Sequence, residues 1–147
     1  MTNKASGLIQ NSRVKIITGF ALSFWRTILW VLVIFILSFL PGRVFEKVNL
    51  FEITFQDLIV HFIMYAVFAV LLIKELSFKK NKHPLRKAEW ITPLLATIVL
   101  GIVTELVQHF WIPGRSGSLS DFTLDICGSA AAIFFCRIPR VRKSLKL

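Results

Sequence analysis

Apolar residues gather into four runs along this chain, and no stretch alternates apolar and polar positions with the period of two that marks a strand. The runs cover residues 27–40, 58–73, 91–112 and 122–136. Phe24 and Trp25 extend the first backward around Arg26, Asp57 and Lys74 bracket the second, Glu105, Gln108 and His109 break the third late, and Asp125 breaks the fourth early. A helix needs about 20 predominantly apolar residues to cross a bilayer, with a range of about 17–25. Most of the clean runs fall short of that. They reach across only if their ends snorkel or if neighbouring helices shield the polar residues near one end. The pattern therefore predicts an all-α integral membrane protein, a bundle of four transmembrane helices with spans at about 24–40, 57–74, 91–112 and 121–136. A polar arm over residues 1–23 precedes this domain of residues 24–137, with residues 16–22 suited to a helix lying on the membrane surface. A basic tail over residues 138–147 follows it. Arg26 interrupts the first run and no small-x-small cleavage site follows, so the first span is expected to be retained rather than cleaved as a signal peptide.

Composition sharpens this picture. The chain has 147 residues, 55% of them apolar and only 18% charged, with a formal charge of +10. Soluble domains are less apolar and carry about 25% charged residues. A basic excess of this size suggests nucleic acid or an anionic membrane surface. Sorting the charge by connection decides between them. The N-terminal arm with Arg26, the second connection and the C-terminal tail hold 15 of the 18 Lys and Arg, and the first and third connections hold 3. The positive-inside rule then places both termini in the cytoplasm. The acidic residues sort the opposite way, with Glu75 and Glu89 on the inner side and Glu46, Glu52, Asp57, Glu105, Asp121 and Asp125 toward the outer side. The excess thus reads as a topology signal that also attracts anionic inner-leaflet lipid, with the bilayer as partner and no nucleic acid. Cys127 and Cys136, nine residues apart in one span, face opposite sides of a helix and read as packing residues rather than a disulfide.

Ionisable groups inside a span cost about 2.5–3.5 kcal/mol each at the helix centre on insertion scales, so they persist where they are paired, wet or useful. The second span opens with Asp57, His61 and Tyr65 at i, i+4 and i+8, one helical face, with Asp57 placed to cap the helix and to orient His61. The third carries Glu105, Gln108 and His109 just before its exit at Pro113-Gly114-Arg115. The fourth opens with Asp121, which could cap it after Ser118 and Ser120, and carries Asp125 one turn deeper. Gly128, Ser129 and the alanines that follow form a small face for close helix packing. Given the direction of each span, all three polar sets fall at one depth, in the outer half, as a polar cavity open to the extracytoplasmic side requires.

These residues also carry a family resemblance. Asp57, His61-Phe62 and Tyr65, then Gly101, Glu105, Gln108, Pro113-Gly114-Arg115, Ser118, Asp121, Asp125 and Gly128 resemble the VanZ-like family of small bacterial membrane proteins over roughly residues 36–136. Ser38, near the outer end of the first span, also fits. The chain departs from the family at Leu58, where Lys is usual, and at Asp125, where Asn is frequent. The resemblance implies a four-span protein of the bacterial inner membrane. Founding members of the family are associated with resistance to the glycopeptide teicoplanin.

The expected function is binding of, or action on, a lipid-linked envelope component or a glycopeptide in the outward-facing cavity. Asp57, His61 and Glu105 are the candidate catalytic residues, with His61 as general base. Ser38, Tyr65, Gln108, His109, Arg115, Ser118, Asp121 and Asp125 are the candidate cavity residues, with Arg115 and His109 suited to a phosphate. Glu105, Asp121 and Asp125 are candidate ligands for a divalent cation, since carboxylate oxygens suit Mg²⁺, Ca²⁺ or Mn²⁺. No Ser or Cys sits in an obvious nucleophile motif, so catalysis stays open. The alternatives are a non-enzymatic lipid- or drug-binding scaffold of the envelope, in which the polar groups act as structural glue, and a small proton-coupled transporter. A transporter should carry its charge near the midplane.

Overall fold

Helices account for nearly all of the residues described by the computed structural model, which are 22–39, 56–79, 85–112, 118–145 and 147. We label them α1 (Trp25–Ser38), α2 (Gln56–Lys79), α3 (Lys87–Trp111), α4 (Leu119–Arg137) and α5 (Pro139–Ser144). No strand occurs among the described residues. The second, third and fourth expected spans are present as α2, α3 and α4. All three are long and apolar enough to cross a membrane, α2 over Leu58–Phe78. α1 is apolar but has 14 residues, about 21 Å at 1.5 Å per residue, against a hydrocarbon core of about 30 Å.

The exterior is apolar. α3 exposes Leu95, Val99, Ile102, Val103 and Leu106, α1 exposes Leu29, Leu32 and Ile36, and α4 exposes Phe134 and Phe135. A surface of this kind is stable against lipid tails, and together with the three long apolar helices it makes this a membrane protein.

Small residues set the packing at the centre. α2 packs most extensively against α4, where Gly128, Ser129 and Ala132 are buried. A Cβ built on Gly128 would collide with the backbone carbonyl oxygen of Phe62, so the two helix backbones touch with nothing between them. The close-packing face expected around Gly128 is thus present, and Phe62 of α2 is what it meets. Gly101 plays a lesser part on α3, where a Cβ would lie 3.0 Å from the Phe122 ring and 3.3 Å from Asp125 Oδ2. Phe24, Ile34, Met64, Tyr65, Phe68 and Leu72 form one apolar core between α1 and α2. Ile73, Trp90, Ile133 and Cys136 form a second between α2, α3 and α4. Trp30 donates its indole N–H to the carbonyl of Met64 at 2.9 Å, so a buried donor is satisfied by a helix backbone.

The bundle has two unlike ends. The basic end holds Arg26, Lys74 and Arg137, whose guanidinium lies 5.3 Å from the centre of the Trp90 ring. Glu75 is buried there, 4% exposed. Its carboxylate accepts from the Arg26 N–H at 3.0 Å, from the Thr27 N–H at 3.4 Å and from the Thr27 hydroxyl at 2.5 Å. These are the donors that the first turn of a helix leaves unpaired. Glu75 therefore caps α1 from another helix, and α2 must continue past residue 74 to deliver it. The tail also has structure that its charge did not suggest. Ile138 is extended, Pro139 starts α5, and Leu145 and Leu147 fold back onto the second core. Cys127 is exposed and Cys136 buried, both as free thiols, in line with their opposite faces.

Candidate functional site

The other end of the bundle collects the polar groups. His61, Tyr65, Thr104, Gln108 and Asp125 are each at most 2% exposed. Helical spacing places them, with His61 and Tyr65 one turn apart on α2, Thr104 and Gln108 one turn apart on α3, and Asp125 in the second turn of α4.

Each of the three helices contributes buried hydrogen bonds that join it to another helix. His61 Nδ1 lies 2.9 Å from Asp125 Oδ1, so α2 and α4 are joined by a buried imidazole–carboxylate pair. The Thr104 hydroxyl donates to the carbonyl of Gly101 at 2.9 Å. Its only hydrogen is thereby used, so the Tyr65 hydroxyl, 3.1 Å away, is the donor to Thr104 Oγ1. Gln108 donates its side-chain N–H to the backbone carbonyl of Ser38 at 3.0 Å, satisfying one of the carbonyls that the end of α1 leaves free. Replacing Tyr65 by Phe should therefore cost about 1 kcal/mol and leave the fold intact, as a small loss of thermal stability in detergent would show.

Glu105 has a different partner from its helical neighbours. Its Oε2 accepts the backbone N–H of Ser118, the N-cap residue of α4, at 2.6 Å. Like Glu75 at the opposite end, it serves a helix start that lacks a cap from its own side chain. Two buried carboxylate oxygens in this region, Glu105 Oε1 and Asp125 Oδ2, have no hydrogen-bond partner among the described residues. His61, Glu105 and Asp125 each offer a donor atom within 4.8 Å of the other two.

Beside this cluster runs a groove between α3 and α4 of about 310 Å³. Glu105, His109 and Ser118 give it polar points, and Ile102, Leu106, Leu119 and Phe122 supply apolar walls.

No protein-family model, curated protein or solved structure matches this chain.

The geometry brings together most of the expected site residues and changes one grouping among them. His61 was expected to be oriented by Asp57, four residues before it. The Nδ1 partner in the structure is Asp125, on another helix, and the side chain of Asp57 lies outside the described residues. The carboxylates of Glu105 and Asp125 were expected to gather with Asp121. The donor cluster instead takes His61 as its third member, and half-buried Asp121 stands one turn toward the start of α4. Asp121 also leaves the Ser118 N–H to Glu105 rather than capping α4 alone. Ser38 is buried at the junction of α1 and α3, reached through its backbone. Exposed His109 packs edge-on against Phe110, with ring centres 4.9 Å apart, at the mouth of the groove. Arg115 lies outside the described residues. Thr104 was missed by sequence reasoning. A Thr in an apolar run carries no sign of function, although its place one turn before Gln108 on the same helical face is a signal that could have found it.

Proposed function

We propose that this chain is a four-span, VanZ-like protein of the bacterial inner membrane, with both termini cytoplasmic, that binds a lipid-linked envelope component at its outer face. In this orientation α1 makes the first crossing despite its length, with Arg26 snorkelling to the inner interface. The basic end then faces the inner leaflet, as the distribution of Lys and Arg requires, and the polar end faces outward.

The groove between α3 and α4 supports a lipid as ligand. It joins polar groups at Glu105, His109 and Ser118 to apolar walls that lead onto the exposed face of α3. An amphiphile needs that combination, a headgroup site continuous with a path for its tail, and a water-soluble metabolite does not. His109 meets an anionic headgroup at the mouth, and the buried pair of His61 and Asp125 lies deeper. The unpartnered oxygens of Glu105 and Asp125 favour ligand binding over structural glue, since glue would leave its polar groups satisfied.

The test is binding of a polyprenyl phosphate to the purified protein in detergent, followed by native mass spectrometry, with phosphatidylglycerol as competitor. The wild type should retain the polyprenyl lipid against excess phosphatidylglycerol, and His109→Ala should weaken retention about tenfold or more, as loss of a charged hydrogen bond implies. Equal retention by wild type and variant would sink the reading. In a host strain, the same variant should lose any glycopeptide protection that the wild type gives, at unchanged protein abundance.

A further inference from the structure

We infer that His61, Glu105 and Asp125 form a binding site for one divalent transition-metal ion, of the Zn²⁺ or Mn²⁺ class. These residues come from three different helices, yet each places a donor atom within 4.8 Å of the other two. Asp125 is fully buried and His61 is 1% exposed. The observation that points to a ligand is the pair of buried oxygens without partners among the described residues, Asp125 Oδ2 and Glu105 Oε1. Their sister oxygens are both engaged, Asp125 Oδ1 with His61 and Glu105 Oε2 with the Ser118 N–H. Each carboxylate is thus anchored through one oxygen and presents the other.

The chemistry of the donors selects the ion. Two carboxylates alone would suit Mg²⁺ or Ca²⁺, which take oxygen ligands. An imidazole adds affinity for zinc and its neighbours. Three protein donors also match the number that zinc takes where it keeps a fourth position open. Donors around a tetrahedral zinc at about 2.1 Å stand roughly 3.4 Å apart, so metal binding draws this cluster inward. Glu105 also lines the groove, so the open position of the ion faces the bound headgroup. The metal rests on the donor set alone, and only this last contact rests on the lipid reading above.

The experiment is titration of the purified, chelator-stripped full chain in detergent with ZnCl₂, MnCl₂ and MgCl₂, followed by calorimetry and thermal melting. The wild type should bind one Zn²⁺ or Mn²⁺ per chain, at least tenfold more tightly than Mg²⁺, and should melt higher when loaded. Asp125→Asn keeps an oxygen to accept from His61, and Glu105→Gln keeps one to accept from Ser118, so both should fold. Each should weaken binding about 100-fold and lose the rise in melting temperature. Absence of saturable binding by the wild type, or equal binding by wild type and both variants, would overturn the site. So would a preference for Mg²⁺. Retention of polyprenyl phosphate is measured on stripped wild type in parallel. Lipid binding without metal binding removes the metal site and leaves the lipid reading standing, and metal binding without lipid binding does the reverse.

Discussion

Gly128→Ala should unfold or severely destabilise the protein, with a loss of about 3 kcal/mol or more. The first side-chain carbon at this position already collides with the carbonyl oxygen of Phe62, and the obstacle is backbone rather than the tip of a flexible side chain. Relief requires α2 and α4 to move apart along the most extensive helix contact in the molecule, which would also pull Asp125 away from His61. Ala is otherwise a better helix former than Gly by about 1 kcal/mol, so a destabilised variant isolates the packing effect. The measurement is thermal unfolding in detergent. Ala130→Val is the control, because Ala130 lies two residues away and is exposed, and it should stay within about 0.5 kcal/mol of wild type. A Gly128→Ala protein that melts with the wild type would mean that the two helices are not in backbone contact.

Glu75→Leu should release α1 from the bundle. The substitution fills similar volume but leaves the Arg26 and Thr27 N–H groups and the Thr27 hydroxyl without their acceptor. Each buried polar group left unpaired costs about 1–3 kcal/mol, and a carboxylate at the positive end of a helix dipole adds favourable charge that Leu cannot supply. The expected loss is about 3 kcal/mol or more, concentrated on one helix. Ile34, fully buried between α1 and α2, reports it. In a background without Cys127 and Cys136, Ile34→Cys should resist thiol labelling when Glu75 is present and label readily in Glu75→Leu. Glu75→Gln keeps one acceptor oxygen and should fall between the two. Protection of Ile34→Cys in the Leu variant would show that apolar contacts alone hold α1.

Much of this was legible in the sequence. The runs at 58–73, 91–112 and 122–136 lie within or close to α2, α3 and α4, because a long apolar stretch has few alternatives to a membrane helix. The gathering of His61, Glu105, Gln108 and Asp125 at one end of the bundle followed from span direction, since antiparallel helices bring the end of one beside the start of the next. Pairing between helices was not legible. Helical periodicity states which residues share a face on one helix, so it offered Asp57 to His61. It does not state how neighbouring helices are rotated, and that rotation hands the ring to Asp125. The role of Glu75 was not legible for a related reason. One acid among Lys74, Lys79 and Lys80 looks like a solvated loop charge, and only the arrival of α1 against it makes it a buried cap.

The cap provided by Glu75 also bears on how the protein is made. The start of α1 leaves the ribosome some 48 residues ahead of the carboxylate that completes it. Until α2 follows, α1 is a 14-residue helix with bare N–H groups, too short to settle securely across the bilayer. In the four-span arrangement proposed above, insertion is then a paired event, in which the first helix waits at the membrane surface or in the insertion machinery for the second.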